Sequence, residues 1–209
     1  MLLYDCEHAP SPRRVRIFAA EKGISLNTVQ VDLAQGEQMS DEFRRRNPEC
    51  TVPVLELEDG TCISEVLAIC DYLEQTKLEP QLMGRNAKLR AQVLMWNAKI
   101  EQNGLAAVFE FFRNSAKGLR SRALTGPTDF DQIPEIAERG RQRGVLFFKR
   151  LDSHLDHRQF VAGESISIAD ITAFVAVDFA KRAKLDFLEC APNLKRWHSA
   201  VAARESAKA

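Results

Sequence analysis

The chain has 209 residues, of which 45% are hydrophobic and 28% charged, the composition of an ordinary globular protein. Its 29 basic residues balance 29 acidic ones, which argues against nucleic acid or a membrane surface as the main partner, since both attract a basic surface. No apolar stretch has the length of about 20 residues that a membrane-spanning helix needs, and the first residues do not form a signal peptide. Five cysteines without CxxC spacing are typical of thiols in a reducing compartment. We therefore expect a cytoplasmic protein.

Strands and helices alternate in the first part of the chain. Ser11 is the predicted N-cap of the first helix, because serine favours that position and Pro12 suits the first helical turn. Asp59 and Gly60 form the predicted two-residue turn of a β-hairpin, and Ser64 is the predicted cap of the helix that follows. Apolar periodicity gives strands at 2–4, 26–31, 52–57 and 61–63, and helices at 11–22, 40–46 and 64–73.

The pattern changes at residues 77–86, where Pro80 and Gly84 interrupt it. We predict a first domain over 1–78, a linker over 79–86 and a second, all-α domain over 87–209. Within the second domain the predicted helices cover 87–117, 135–154, 168–181 and 194–202, and residues 118–134 form a loop-rich break.

The helix predicted from residue 168 has a well-defined start. Ser167 and Asp170 have the spacing of a capping box, in which each residue satisfies a backbone N–H of the other. Ile166 and Ile171 occupy the positions of a hydrophobic staple. This pattern indicates a structural helix start inside a core and says nothing about function.

Three segments together resemble the cytosolic glutathione S-transferases, and the resemblance covers essentially the whole chain. They are NPECTVPVL at 47–55 with the turn at 59–60, ISEVLAICDYL at 63–73, and GESISIAD at 163–170. The resemblance implies an α/β thioredoxin-like N-terminal domain, an all-α C-terminal domain, and a homodimer in which the first domain of one subunit packs on the helical domain of the other. It also implies glutathione bound by the first domain, a hydrophobic electrophile in a cleft between the two domains, and no metal.

The resemblance assigns the binding of glutathione to Val52, Pro53, Glu65 and Val66. The family has a cis bond before the proline, and the Val52 backbone then pairs with the cysteinyl backbone of glutathione. Glu65, at a helix start, suits the γ-glutamyl ammonium, while free N–H groups there suit its carboxylate. The family usually has Ser or Thr where this chain has Val66, so one hydrogen bond to the carboxylate is missing. A carboxylate that only complements the helix dipole is the alternative interpretation of Glu65.

Activation of the glutathione thiol needs a donor beside the sulfur, because a free thiol with a pKa of about 8.5 is mostly protonated at neutral pH. The family places this donor between the first strand and the first helix. Ser11 is the candidate here, and Cys6 and His8 are its rivals. Tyr4 lies within the strand and is expected in the core. The alternative is that Ser11 acts as a helix cap and nothing more.

The predicted function is a glutathione transferase that joins the glutathione thiolate to a hydrophobic electrophile. Two alternatives stay open: a non-catalytic scaffold of the same fold, which Val66 favours, and a glutathione-dependent reductase or peroxidase that acts through Cys6. His154 and His157 have helical spacing, yet they lie at a polar helix end with no third ligand nearby. A solvated helix face is therefore expected there rather than a metal site.

Overall fold

The structure, a computed structural model, describes residues 1–185 and 190–209. It divides into two compact units. The first consists of Met1–Pro80 with Leu124–Asp129 and the last residue, and the second consists of the described residues of Gln81–Ala123 and Phe130–Lys208.

The first unit has a thioredoxin-like fold. Its described residues form one sheet in the order β2-β1-β3-β4, with β2 parallel to β1 and the other neighbours antiparallel. Phe43 packs in one core cluster with Tyr4, Val31 and Val54. In chain order the elements are β1 (Leu2–Asp5), α1 (Pro10–Glu21), β2 (Asn27–Gln30), α2 (Asp41–Arg46), β3 (Val54–Glu56), β4 (Cys62–Ser64) and α3 (Val66–Thr76). The predicted order of strands and helices is confirmed, while β2 and β3 are shorter than expected.

The turn between β3 and β4 differs from the prediction. Leu57 N–H donates to Thr61 O at 2.9 Å and Gly60 N–H donates to Leu57 O at 3.1 Å, which makes a loop of three residues, 58–60. Gly60 has φ 85°, the left-handed conformation that a three-residue hairpin loop needs at its last position. The predicted two-residue turn was therefore wrong by one residue.

A buried lysine joins the end of α1 to α3. Lys22 Nζ donates to Glu74 Oε2 and to Pro80 O at 2.7 Å, and to Leu78 O at 3.3 Å. The side chain of Lys22 is fully buried, and that of Glu74 is 5% exposed. Buried charges need partners of this kind, since an unpaired charge away from water is strongly unfavourable.

The second unit is helical. It contains α4 (Ala87–Ile100), α5 (Ala106–Ser115), α6 (Pro134–His154), α7 (Ile168–Arg182) and α8 (Pro192–Ala202). The single helix predicted over 87–117 is divided by a π-helical turn at Glu101–Leu105. Gly104 lies in this turn, and a Cβ atom there would come within 2.7 Å of the Phe147 ring. The glycine thus allows the π turn to approach α6 closely.

The predicted capping box at the start of α7 is confirmed, together with the burial of Ile166 and Ile171. Asp170 Oδ2 accepts hydrogen bonds from Ser167 N–H and Oγ, and Oδ1 accepts from Val161 N–H and Trp197 Nε1. Burial raises the pKa of the Asp170 carboxyl to about 6, against the opposing effect of these donors. The carboxylate therefore ties the start of α7 to α8.

Among the described helices, none is both long enough and apolar enough to cross a membrane. Each of the five cysteines lies in the described part of the chain and is a thiol rather than half of a disulfide.

Candidate functional site

Three loops of the first unit lie at the same end of the sheet. Tyr4 pairs with Val54, and Val54 pairs with Ser64. The end of β1, the start of β3 and the end of β4 are therefore neighbours. The loop after β1 carries Cys6, the segment before β3 ends in Pro53, and α3 begins directly after β4. Residues predicted from three distant stretches of sequence are thus attached to one end of the sheet.

Pro53 is preceded by a cis peptide bond, as the resemblance implied. It is buried and stands just before β3 rather than inside it, which corrects the predicted strand start. Val52 is half-buried. Within the described part of the chain, no hydrogen bond engages the Val52 N–H or C=O. Both groups are therefore available to pair with the backbone of a peptide ligand.

Glu65 is itself the N-cap residue of α3, so the prediction that Ser64 is the cap was wrong; Ser64 is the last residue of β4. The Glu65 backbone has φ 67°, a conformation that non-glycine residues seldom adopt and that often marks a functional site. Ile69 N–H donates to Glu65 O, so the three N–H groups before it have no partner within the helix. The Glu65 side chain is exposed and makes no capping hydrogen bond to these donors, while Val66 is buried at 5% exposure.

Ser11 is the second residue of α1, and Ala9 occupies the N-cap position. The prediction that Ser11 caps this helix was therefore wrong. Its Oγ accepts a long hydrogen bond from Arg14 Nη2 at 3.4 Å. Since Arg14 occupies an acceptor position of the hydroxyl, the O–H can donate to another group.

The rivals of Ser11 lie in the loop before it. Cys6 is half-buried and His8 is exposed. Ala9 N–H donates to Cys6 O at 2.9 Å, which closes a turn over residues 6–9. The structure thus places all three candidate donors within one short stretch at the start of α1.

Tyr4 is a core residue, as predicted, and its hydroxyl is already engaged. It donates to Glu56 Oε2 at 2.8 Å, and Arg46 Nε donates to the same oxygen at 3.2 Å. Burial, followed by this hydrogen bond, raises the pKa of Tyr4, while the bonds from Tyr4 and then Arg46 lower the pKa of Glu56. The cluster borders an open pocket of about 360 Å³ between α2 and the hairpin, at the turn end of β3 and β4. This pocket contains none of the predicted site residues.

Three polar residues next to the β1–α1 loop were not predicted as site residues: Asp5, Arg16 and Gln30. Asp5 is 2% exposed and accepts from both Arg16 and Gln30. The parallel pairing of β1 with β2 places Asp5 opposite Gln30, so polar residues at the ends of two neighbouring strands were the available signal.

His154, the last residue of α6, and His157, which follows the helix, do not form a site. His154 is half-buried, stacks on Trp96 with ring centroids 3.9 Å apart, and pairs through Nε2 with Val161 O. Burial lowers its pKa. The expected solvated face is thus correct for the exposed His157 only. Among the described residues, no group of three or more His, Cys, Asp or Glu side chains is arranged to hold a metal ion.

A thioredoxin-like unit with a cis-proline loop beside a helix start, followed by a helical unit, defines the class of glutathione-binding transferase folds. Residues 9–76 match the family model of the glutathione S-transferase N-terminal domain, and residues 135–205 match that of the C-terminal domain. Glutathione S-transferase 2 of Saccharomyces cerevisiae is 35% identical over 100% of this chain and 88% of its own length.

Solved structures of similar proteins also cover almost the whole chain. A glutathione S-transferase domain-containing protein of Marinobacter aquaeolei is 38% identical, with a TM-score of 0.91 over 99% of both chains. Gtt2 of Saccharomyces cerevisiae is 35% identical, with a TM-score of 0.91 over 100% of this chain and 99% of its own. The chain therefore belongs to the glutathione S-transferase family.

Proposed function

We propose that this transferase joins the thiolate of glutathione to a hydrophobic electrophile in the cytoplasm, and that Val52, Pro53, Glu65 and Val66 bind the glutathione. The observation that carries the proposal is the match of residues 9–76 to the family's N-terminal domain, because all four residues lie inside it. The register of β1, β3 and β4 supports it by attaching their loops to one edge of the sheet.

Each of these residues has a defined role in the proposal. The Val52 N–H and C=O pair with the cysteinyl backbone of glutathione, and Pro53 shapes the segment that presents them. The N–H groups at the start of α3 bind the γ-glutamyl carboxylate, and Glu65 binds the neighbouring ammonium. Val66 contributes its backbone N–H alone, since its side chain is buried and has no hydroxyl.

Ser11 is the proposed donor to the sulfur. Its position in the first turn of α1 places the thiolate near the positive end of the helix. Holding this anion and the electrophile together supplies proximity and electrostatic stabilisation, and the chemistry requires no metal. The sulfur attacks the electrophilic carbon after the thiol proton has gone to solvent. In a substitution the leaving group departs with the electron pair of its bond to that carbon. In an addition the electron pair of the double bond takes up a proton from solvent at the neighbouring carbon.

Binding and turnover can be tested in one set of proteins. The parent should be retained on a glutathione resin, elute with free glutathione, and conjugate a chromogenic aryl halide. Glu65→Ala should weaken glutathione binding about tenfold or more, because a charge-assisted hydrogen bond contributes roughly 1.5–3 kcal/mol.

The matched control is Glu58→Ala, which removes another exposed carboxylate of the same unit from the hairpin loop. It should bind like the parent. A parent that binds glutathione without conjugating the halide or any other electrophile tested would favour the non-catalytic scaffold, and equal loss in the two variants would contradict the role of Glu65.

A further inference from the structure

The side chains of Gln30 and Arg16 hold the backbone of the β1–α1 loop at Glu7. Glu7 N–H donates to Gln30 Oε1 at 2.9 Å, and Glu7 C=O accepts from Arg16 Nη2 at 3.0 Å. Both polar groups of one residue in an exposed loop are thus bonded to side chains from β2 and α1. Water would otherwise satisfy these groups and leave the loop mobile.

The two side chains that hold Glu7 are themselves fixed by one carboxylate. Asp5 Oδ2 accepts from Gln30 Nε2 at 2.7 Å, and Asp5 Oδ1 accepts from Arg16 Nη1 at 2.5 Å. Asp5 is 2% exposed and Arg16 is 16% exposed at the side chain. The network is closed, because both side chains that bond to the Glu7 backbone also bond to Asp5 at the end of β1.

We infer that Asp5, Arg16 and Gln30 are positioning residues for the activation of the glutathione thiol. This inference rests on the proposed function. Glu7 lies between Cys6 and His8 and four residues before Ser11, so the network fixes the path of the loop whichever of these groups meets the sulfur. A donor displaced by a fraction of an ångström stabilises a thiolate less, whereas the glutathione contacts at Val52 and Glu65 stay in place.

Gln30 is the residue at which this role can be tested without disturbing the core. It is exposed on the edge strand β2, whereas loss of Arg16 would leave a buried carboxylate without its cation. Gln30→Ala removes the bonds to Asp5 and to Glu7. Thr28→Ala is the matched control, since residue 28 lies two positions earlier, exposed on the same face of the same strand.

The expected result for Gln30→Ala is a fall in kcat of about tenfold, with KM for glutathione changed less than threefold. The apparent pKa of bound glutathione, measured by thiolate absorbance, should rise by about one unit, since one unit corresponds to a tenfold change in thiolate. The Glu7 amide should exchange its hydrogen faster. Arg16→Lys keeps a cation for Asp5 but not the paired geometry, and it should affect the same quantities.

The double variant distinguishes a shared network from separate effects. If Gln30 and Arg16 act through the Glu7 backbone, their combined effect on kcat should be no larger than the greater single effect. Faster Glu7 exchange with an unchanged thiol pKa and kcat would reduce the network to a structural role and overturn the inference. An inactive parent that does not bind glutathione would instead overturn the proposed function, and the positioning role with it.

Discussion

Ser11 is the proposed donor to the glutathione sulfur, and its hydroxyl can be removed by one substitution. Because it is not the helix cap, Ser11→Ala should leave the free energy of unfolding nearly unchanged. The same change should raise the apparent pKa of bound glutathione and lower turnover, with little loss of glutathione affinity. In the proposed site the hydroxyl contacts only the sulfur, while Val52 and Glu65 bind the rest of glutathione. Thiolate absorbance against pH measures this directly.

Cys6→Ala is the comparison for that experiment. A thiol is a weaker donor than a hydroxyl, so its loss should matter less than the loss of Ser11. If Ser11→Ala titrates like the parent while Cys6→Ala does not, the activating group is Cys6. The protein then acts through a cysteine, and the reductase or peroxidase alternative is favoured.

The starts of α1 and α3 were predicted close to where they lie, but their N-cap residues were not. Ser11 and Ser64 were predicted as caps, whereas Ala9 and Glu65 occupy those positions. The preference of a residue for the N-cap position is local and contributes about 1 kcal/mol on average. Strand pairing, which fixes the backbone just before each helix, can therefore override it. The capping box at Ser167 and Asp170 was predictable because two reciprocal bonds and a buried staple agree.

At the scale of elements, the contact between α5 and α6 depends on Gly140. A Cβ atom at this position would lie 2.7 Å from Ala107 O and from Phe111 N, both of them backbone atoms. Gly140→Ala should therefore force the helices apart and destabilise the chain by about 1–3 kcal/mol. Denaturant unfolding should show a lower midpoint.

Gly118→Ala is the control for this prediction. Gly118 has no atom within 4 Å of an added Cβ, so the substitution should shift the midpoint little. Equal midpoints for Gly140→Ala and the parent would mean that α5 and α6 can separate without cost.

The π turn at Glu101–Leu105 shows the limit of periodicity as a guide to elements. Apolar positions continue from α4 into α5 at nearly helical spacing, so the sequence predicts one long helix. The π turn is explained only by the tertiary structure, in which Gly104 packs closely on the Phe147 ring. A contact between segments more than 40 positions apart leaves no local signal.

For the whole molecule, we expect a homodimer. Met95 on α4 is 44% exposed, and Val145 and Leu146 on α6 are 37% and 49% exposed; contact with a second copy would remove such apolar surface from water. Light scattering at micromolar concentration should give twice the mass of the chain. A mass equal to one chain at that concentration would contradict the dimer.

The order of elements and the family were accessible from the sequence, because three segments at fixed separations carry them. The network at Glu7 was only partly accessible. Asp5 and Gln30 end two neighbouring strands, but the bonds that Arg16 makes from α1 to Asp5 and to the Glu7 backbone appear only in the structure. Residues that touch a ligand tend to occur in recognisable motifs. Residues that hold those motifs in place are identified by geometry.

The buried Lys22 has a consequence for the covalent chemistry of the chain. Acylating enzymes and amine-reactive labels need a deprotonated, accessible nitrogen, and in the folded protein Nζ is enclosed by a carboxylate and two carbonyl oxygens. Lys77, by contrast, is exposed and reaches Gly23 O at 3.2 Å. The two lysines thus form a built-in pair of probes: a label on Lys77 counts every molecule, and a label on Lys22 counts only those whose first unit has opened.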